Sequence, residues 1–133
     1  MGLKEIFEVS KPRIIILLVI TAVTSMYAGS KFVGPDIGYL EILHIIVAGS
    51  LASAGSSALN HFYDKDIDSK MKRTSNRPIP SGRSKDTTIL VYGLGVSIVS
   101  VIYAALAINY LCAFFVALGI FFYVIIYTVW LKR

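Results

Sequence analysis

Asn60, Asp64 and Asp68 recur at intervals of four residues, NxxxDxxxD, which on a continuing helix stacks an amide and two carboxylates along one face and turns Asp66 away. A carboxylate near the hydrocarbon region costs about 2.5 to 3.5 kcal/mol on insertion scales, and a second one a turn away adds repulsion. A cation offsets both. Mg²⁺ suits such a face because it takes one or two protein carboxylates, keeps several waters and completes its shell with substrate phosphate oxygens. Asp64 and Asp68 are therefore the candidate catalytic and metal-holding residues, with Asn60 orienting a water or phosphate oxygen. Lys70, Lys72, Arg73, Arg77, Arg83 and Lys85 follow at once. The planar guanidinium fork grips phosphate bidentately and lysine adds a compact charge, so acids, metal and bases together make a pocket for a diphosphate. Pro78, Pro80 and Gly82 stop a helix and fold the segment back as a lid. Spacing alone leaves a second reading open, in which the acids and bases neutralise one another in a solvated loop.

The elements that must position these groups are apolar. With 56% hydrophobic and 16% charged residues, the 133-residue chain excludes an ordinary soluble domain and reads as a single all-α, polytopic transmembrane helical bundle. Four spans are expected, at about 14–30, 42–63, 87–106 and 110–131, with Pro12 in the first turn of the first helix, an outer turn at Gly34-Pro35-Asp36, and the motif loop at 64–86. The glutamates near the N-terminus and the later apolar runs favour an uncleaved first helix over a signal peptide. The second span is rich in Gly, Ala and Ser between Gly49 and Ala58, which lets backbones approach closely and puts this helix inside the bundle. Tyr123, Tyr127 and Trp130 gather at the end of the last span, where amphipathic rings favour the headgroup boundary.

Four spans place both termini and the 64–86 loop on one side, which then holds 12 of the 13 Lys and Arg residues, Lys31 being the exception. The positive-inside rule makes that side cytoplasmic, in a multi-pass protein of the cell membrane. Basic residues that set topology are no sign of nucleic acid. Cys112 has no second thiol to pair with and reads as a packing residue. His44 and His61 read as helix-packing or interface histidines before iron ligands. Phe62 and Tyr63 either line an apolar channel or anchor the boundary.

The segment 60–83 resembles the first aspartate-rich motif of the intramembrane UbiA prenyltransferase superfamily. Within it, Asp68, Met71, Arg73, Thr74, Arg77 and Pro78 match the D-x-x-M-x-R-T-x-x-R-P pattern of the heme O synthase branch, the protoheme IX farnesyltransferases, and Lys11-Pro12-Arg13, Tyr127-Thr128 and Leu131-Lys132-Arg133 agree with it. The resemblance implies an all-helical fold of roughly nine transmembrane helices and Mg²⁺-dependent transfer of farnesyl from farnesyl diphosphate to heme b, giving heme O. It gives Asp64, Asp68 and Asn60 the metal, and Asn60, Lys72, Arg73 and Arg77 the diphosphate. Other UbiA-type transferases, with an aromatic or glycerophosphate-lipid acceptor, are the nearest rivals, and a noncatalytic four-helix membrane subunit is the rival of another class. The family's second aspartate-rich motif has no counterpart here, since all eight acids lie at or before Asp86. The expectation is therefore about half of a UbiA-type fold, a truncated or split product or a fragment, inactive alone unless a second polypeptide supplies the remaining helices.

Overall fold

A computed structural model describes residues 1–34 and 36–132, Val33 by its backbone alone, so the turn expected at Pro35 and the Arg133 of the C-terminal motif lie outside the described residues. The described chain is helical throughout, with four helices long and apolar enough to cross a membrane, as expected. A short helix α1, Leu3–Ser10, meets α2, Pro12–Val33, at Lys11, whose left-handed backbone (φ 50°) makes the corner. Pro12 then occupies the first turn of α2, where its missing N–H costs nothing. At 1.5 Å per residue α2 is about 33 Å long, and both of its threonine hydroxyls are satisfied inside the helix, Thr21 Oγ1 donating to Leu17 O (2.9 Å) and Thr24 Oγ1 to Ile20 O (2.7 Å).

Helix α3, Tyr39–Tyr63, is the centre of the bundle. It packs on α1, α2, α5 and the last helix, and every residue from Ser53 to His61 is buried. Helix α4, Lys65–Lys70, prolongs α3 by little more than a turn, and α5, Asp86–Ala107, returns antiparallel. A tight turn capped by Asn109, whose Oδ1 accepts from Cys112 N (2.7 Å), leads into α6, Tyr110–Phe121, which continues as a π-helix over Phe122–Leu131. Cys112 packs half-buried beside Ala48, Ala104 and Ala113.

Small residues decide the tightest crossing. A methyl group on Gly55 of α3 would lie 2.7 Å from the backbone nitrogen of Ser97 on α5, and one on Gly93 would lie 3.1 Å from the backbone nitrogen of Leu59. Further along, Ser100 Oγ donates across to Ala48 O (2.9 Å). Without a hydrophobic drive between helices in lipid, such backbone proximity supplies the packing.

At the other end of the crossing, Val9 of α1, Ala58 of α3, Ile89 of α5 and Ile79 of the 71–85 segment close one cluster with Phe62 and Tyr92. Polar contacts tie α1 to the same segment. Arg83 grips Glu8 bidentately (2.9 and 3.0 Å) and also donates to Asn76 O, while Ser84 Oγ and the Gly2 N–H both donate to Glu5 Oε2 (3.0 and 2.7 Å). The hydrogen bonds from Gly2 and Ser84 hold the Glu5 carboxyl below its ordinary value of 4.5.

Two outcomes follow from this packing. Gly55→Ala should lower the stability of the reconstituted protein by roughly 1 to 3 kcal/mol, because α5 must move, whereas Gly95→Ala, facing open space on α5, should gain up to about 1 kcal/mol; thermal unfolding in detergent reads both. A lowered folded-state carboxyl pKa gives stability that is present above the unfolded value and lost as pH falls through the folded one. The melting-temperature gap between the wild type and Ser84→Ala should therefore be full above about pH 4.5 and close below it.

Candidate functional site

The stack of Asn60, Asp64 and Asp68 survives the end of α3. Asp64 leaves ideal helical geometry (φ −86°, ψ 0°), yet Asp64 N still reaches Asn60 O (3.0 Å) and Asp68 N reaches Asp64 O (2.8 Å), so the four-residue step runs on into α4. All three side chains are buried, Asp64 completely, while Asp66 is exposed.

Each is met by a group from a distant part of the chain. Asn60 Oδ1 accepts from Lys11 Nζ (2.8 Å), and its Nδ2 donates to Asp64 Oδ2 (2.7 Å) and to Thr128 Oγ1 (3.1 Å). Asp64 Oδ2 also takes Lys132 Nζ at 2.5 Å. Asp68 Oδ2 takes Arg77 Nη1 at 2.5 Å, and the turn that delivers Arg77 is fixed by Thr74 Oγ1 donating to Asp68 O (3.0 Å). In the π-helical turn, Thr128 Oγ1 donates to Tyr123 O five residues back (2.8 Å), which leaves it an acceptor aimed at Asn60.

The cluster sets three cations against two carboxylates. Burial pushes Lys11 down to about 8, the positive charges of Arg77 and Lys132 adding to the fall and the negative charges of Asp64 and Asp68 opposing it. An ammonium held in that setting is poised for further negative charge. The left-handed backbone at Lys11, uncommon in a residue with a side chain, is the conformation that brings it there.

Of the residues singled out by the sequence, Asn60, Asp64, Asp68 and Arg77 come together. Lys72 and Arg73 do not join them; both are exposed on the 71–85 segment and make no side-chain hydrogen bond or ion pair among the described residues. Pro78 and Ile79 are buried, so this segment is packed against α1 and α3. Lys11, Lys132 and Thr128 carry no assigned role in the sequence reading, and the only signal for them was their place in the flanking motifs. His44 lies about 24 Å back along α3, where its Nδ1 meets Tyr103 OH at 2.8 Å, a packing role. His61 is buried next to Asn60, with Nε2 lacking a hydrogen-bond partner among the described residues.

Below the cluster lies an apolar cavity of about 470 Å³. Among the described residues no Cα atom of α2 comes within 8 Å of one in α6, and the space between them, floored by α3, is lined by Leu18, Ser53, Ser56, Ser57, Gly119 and Tyr123 among others. Ser56 stands one turn before Asn60 on the same face of α3, so the cavity leads to the polar stack. Phe62 and Tyr63 do not line it; Phe62 packs instead with Val9, Ala58, Ile79 and Ile89.

The donor set fits Mg²⁺. Asp64 Oδ1 is buried without a hydrogen-bond partner among the described residues, a position that is costly for a carboxylate oxygen unless a cation or donor meets it. Among the described residues no three His, Cys, Asp or Glu side chains gather to hold a metal, and Asp64 and Asp68 are the one or two carboxylates that Mg²⁺ would take beside phosphate oxygens.

The model of the UbiA prenyltransferase family matches residues 17–133. A protein named protoheme IX farnesyltransferase 1 from Cenarchaeum symbiosum is 61% identical over 100% of this chain and 46% of its own length. Protoheme IX farnesyltransferases from Ruegeria pomeroyi and Sinorhizobium fredii are 46% and 44% identical over 99% and 98% of this chain, in each case 40% of their own length. The chain thus spans less than half the length of these relatives. No solved structure matches it.

Removing one member of a buried ion pair leaves the other uncompensated, at a cost of about 3 to 5 kcal/mol when both are fully buried. Since Lys132 keeps some access to water, Lys132→Met should cost less, about 2 to 3 kcal/mol. Adding Asp64→Asn should recover much of that loss, and a double-mutant cycle on thermal unfolding measures the coupling.

Proposed function

The chain belongs to the UbiA prenyltransferase family, and on that footing we propose that it forms the donor-binding half of an intramembrane enzyme that transfers farnesyl from farnesyl diphosphate to heme b, giving heme O. The observation that carries this reading is the fully buried Asp64, with an unpartnered oxygen, among Lys11, Arg77 and Lys132 and about two helical turns beyond Ser56, which lines the apolar cavity.

In this reading the diphosphate of the donor sits against the polar stack and its isoprenoid chain runs down the cavity between α2 and α6. Asp64 and Asp68, with Asn60, would hold Mg²⁺, which when bound neutralises charge on the diphosphate. Breaking the allylic C–O bond sends the electron pair to the diphosphate and leaves a cation on the prenyl carbon; the π electrons of a heme vinyl group form the new C–C bond to it, and the positive charge this leaves on the vinyl carbon next to the ring is quenched by water, which loses a proton and becomes the hydroxyl of heme O. Lys11, Arg77 and Lys132 stabilise the departing negative charge more than the bound ground state, the condition for acceleration. Lys72 and Arg73, exposed on the 71–85 segment, add diphosphate contacts if that segment closes over the donor. The apolar walls keep water from the prenyl cation before the acceptor meets it.

The excess of Lys and Arg at the motif face supports a cytoplasmic orientation of that face in a multi-pass protein. The remaining helices, with the acceptor site and the second aspartate-rich motif, come from sequence beyond these residues, in the same chain or a second polypeptide.

In nanodiscs, the 133-residue chain should bind farnesyl diphosphate in a Mg²⁺-dependent manner, and Asp64→Asn should weaken that binding about tenfold or more. Alone it should form no heme O; joined by the second half of a heme-O-forming relative, it should prenylate heme b in preference to aromatic or glycerophosphate-lipid acceptors. Binding indifferent to both Mg²⁺ and Asp64 would favour a noncatalytic subunit.

A further inference from the structure

The charges of α1 are sorted by side. Its two acids face the 71–85 segment, where Glu8 is gripped by Arg83 and Glu5 by Ser84 and the Gly2 N–H. Its basic residue Lys4 is exposed, and Arg13, two residues past the Lys11 corner, is exposed as well; neither makes an ion pair among the described residues. Lys4 and Arg13 line one groove of about 500 Å³ in the angle between α1 and the start of α2, with Phe7 and Ile14 supplying its apolar walls. Glu8 and Lys11 also border the groove, but each is already engaged, with Arg83 and Asn60.

The setting of this groove is fixed by α2, a helix built to span a membrane that begins at Pro12. Helix α1 therefore lies at the headgroup level. Leu3 and Phe7, one turn apart on α1, are 87% and 67% exposed, which is costly in water and favourable at the acyl boundary. Beyond the groove, Leu17 on α2 continues the exposed apolar track toward the hydrocarbon.

We infer that the α1–α2 corner is a binding site for an anionic phospholipid, with the headgroup phosphate between Lys4 and Arg13 and an acyl chain along Phe7, Ile14 and the outer face of α2. The occupant is a lipid because the groove joins two cations to an apolar track that runs into the bilayer. A free phosphate would use only the first. Docking there clamps α1 from outside while Arg83 and Ser84 hold it from inside, so a bound lipid braces the helix that ends at Lys11.

The test uses the whole chain in phosphatidylcholine nanodiscs with and without phosphatidylglycerol, with native mass spectrometry of the retained lipid as readout. The wild type should retain phosphatidylglycerol in preference to phosphatidylcholine. Lys4→Gln with Arg13→Gln should lose that preference by about fivefold per charge removed, while Lys70→Gln with Lys85→Gln, an equal loss of exposed charge at the two ends of the polar segment, should keep it. All four positions are exposed, and melting in pure phosphatidylcholine checks that both doubles remain folded. Equal loss in the two doubles would reduce the effect to general surface charge and overturn the site. Displacement of the lipid by inorganic phosphate would make the ligand a free anion and overturn it equally. Neither readout involves farnesyl diphosphate, so the result is independent of the proposed enzymatic role.

Discussion

A carboxylate removed from water must be met by a cation, a donor or a proton, and in this protein that requirement falls on Asp64 at the end of the central helix. One of its oxygens is held by Lys132 and Asn60, and Asn60 is in turn held by Lys11 and Thr128. The N-terminal corner, the end of α3 and the last turn of the chain are thereby tied at a single point. Asp68 repeats the arrangement one turn later with Arg77, which fixes the course of the polar segment. A buried ion pair of this kind adds little net stability over an apolar contact, so its persistence is better understood as orientation of charge than as a staple.

That orientation depends on how tightly the helices can meet. Gly55, Gly93 and Ser97 allow α3 and α5 to touch through their backbones, and every residue of α3 from Ser53 to His61 is buried. A helix so enclosed can carry an amide and a carboxylate at its end without exposing them to lipid. On its other flank α2 and α6 stay apart, which leaves the apolar cavity beneath the stack. The same central helix thus presents a polar end and an apolar flank.

The polar segment is less a free lid than a packed element. Pro78 and Ile79 are buried under α1, and Arg83 and Ser84 fasten it to Glu8 and Glu5. Lys72 and Arg73 remain at its outer edge, apart from the cluster that Arg77 joins. The sequence treats these cations as equivalent, whereas their roles in the fold differ. Burial of Thr74 and Pro78 on either side of Arg77 turns that side chain inward.

By itself the sequence determined what depends on local spacing and on composition. Uncharged runs of sufficient length make spans, a four-residue interval stacks Asn60, Asp64 and Asp68, and the run of Gly, Ala and Ser marks the helix that must be enclosed. The motif from Asp68 to Pro78 also carried the family, because its residues lie within eleven positions of one another. Only the tertiary structure decided which cations answer the buried acids. Lys11 and Lys132 lie 49 and 68 residues from their partners, and no periodicity in the chain records that a left-handed corner and a π-helical last turn bring them there. It also decided that Phe62 packs in the core while Ser56 and Tyr123 line the cavity, since helical phase says which residues share a face but not which neighbour that face meets. Contacts between distant segments are set by the way helices pack around α3, a property of the assembled volume that no short stretch of sequence contains.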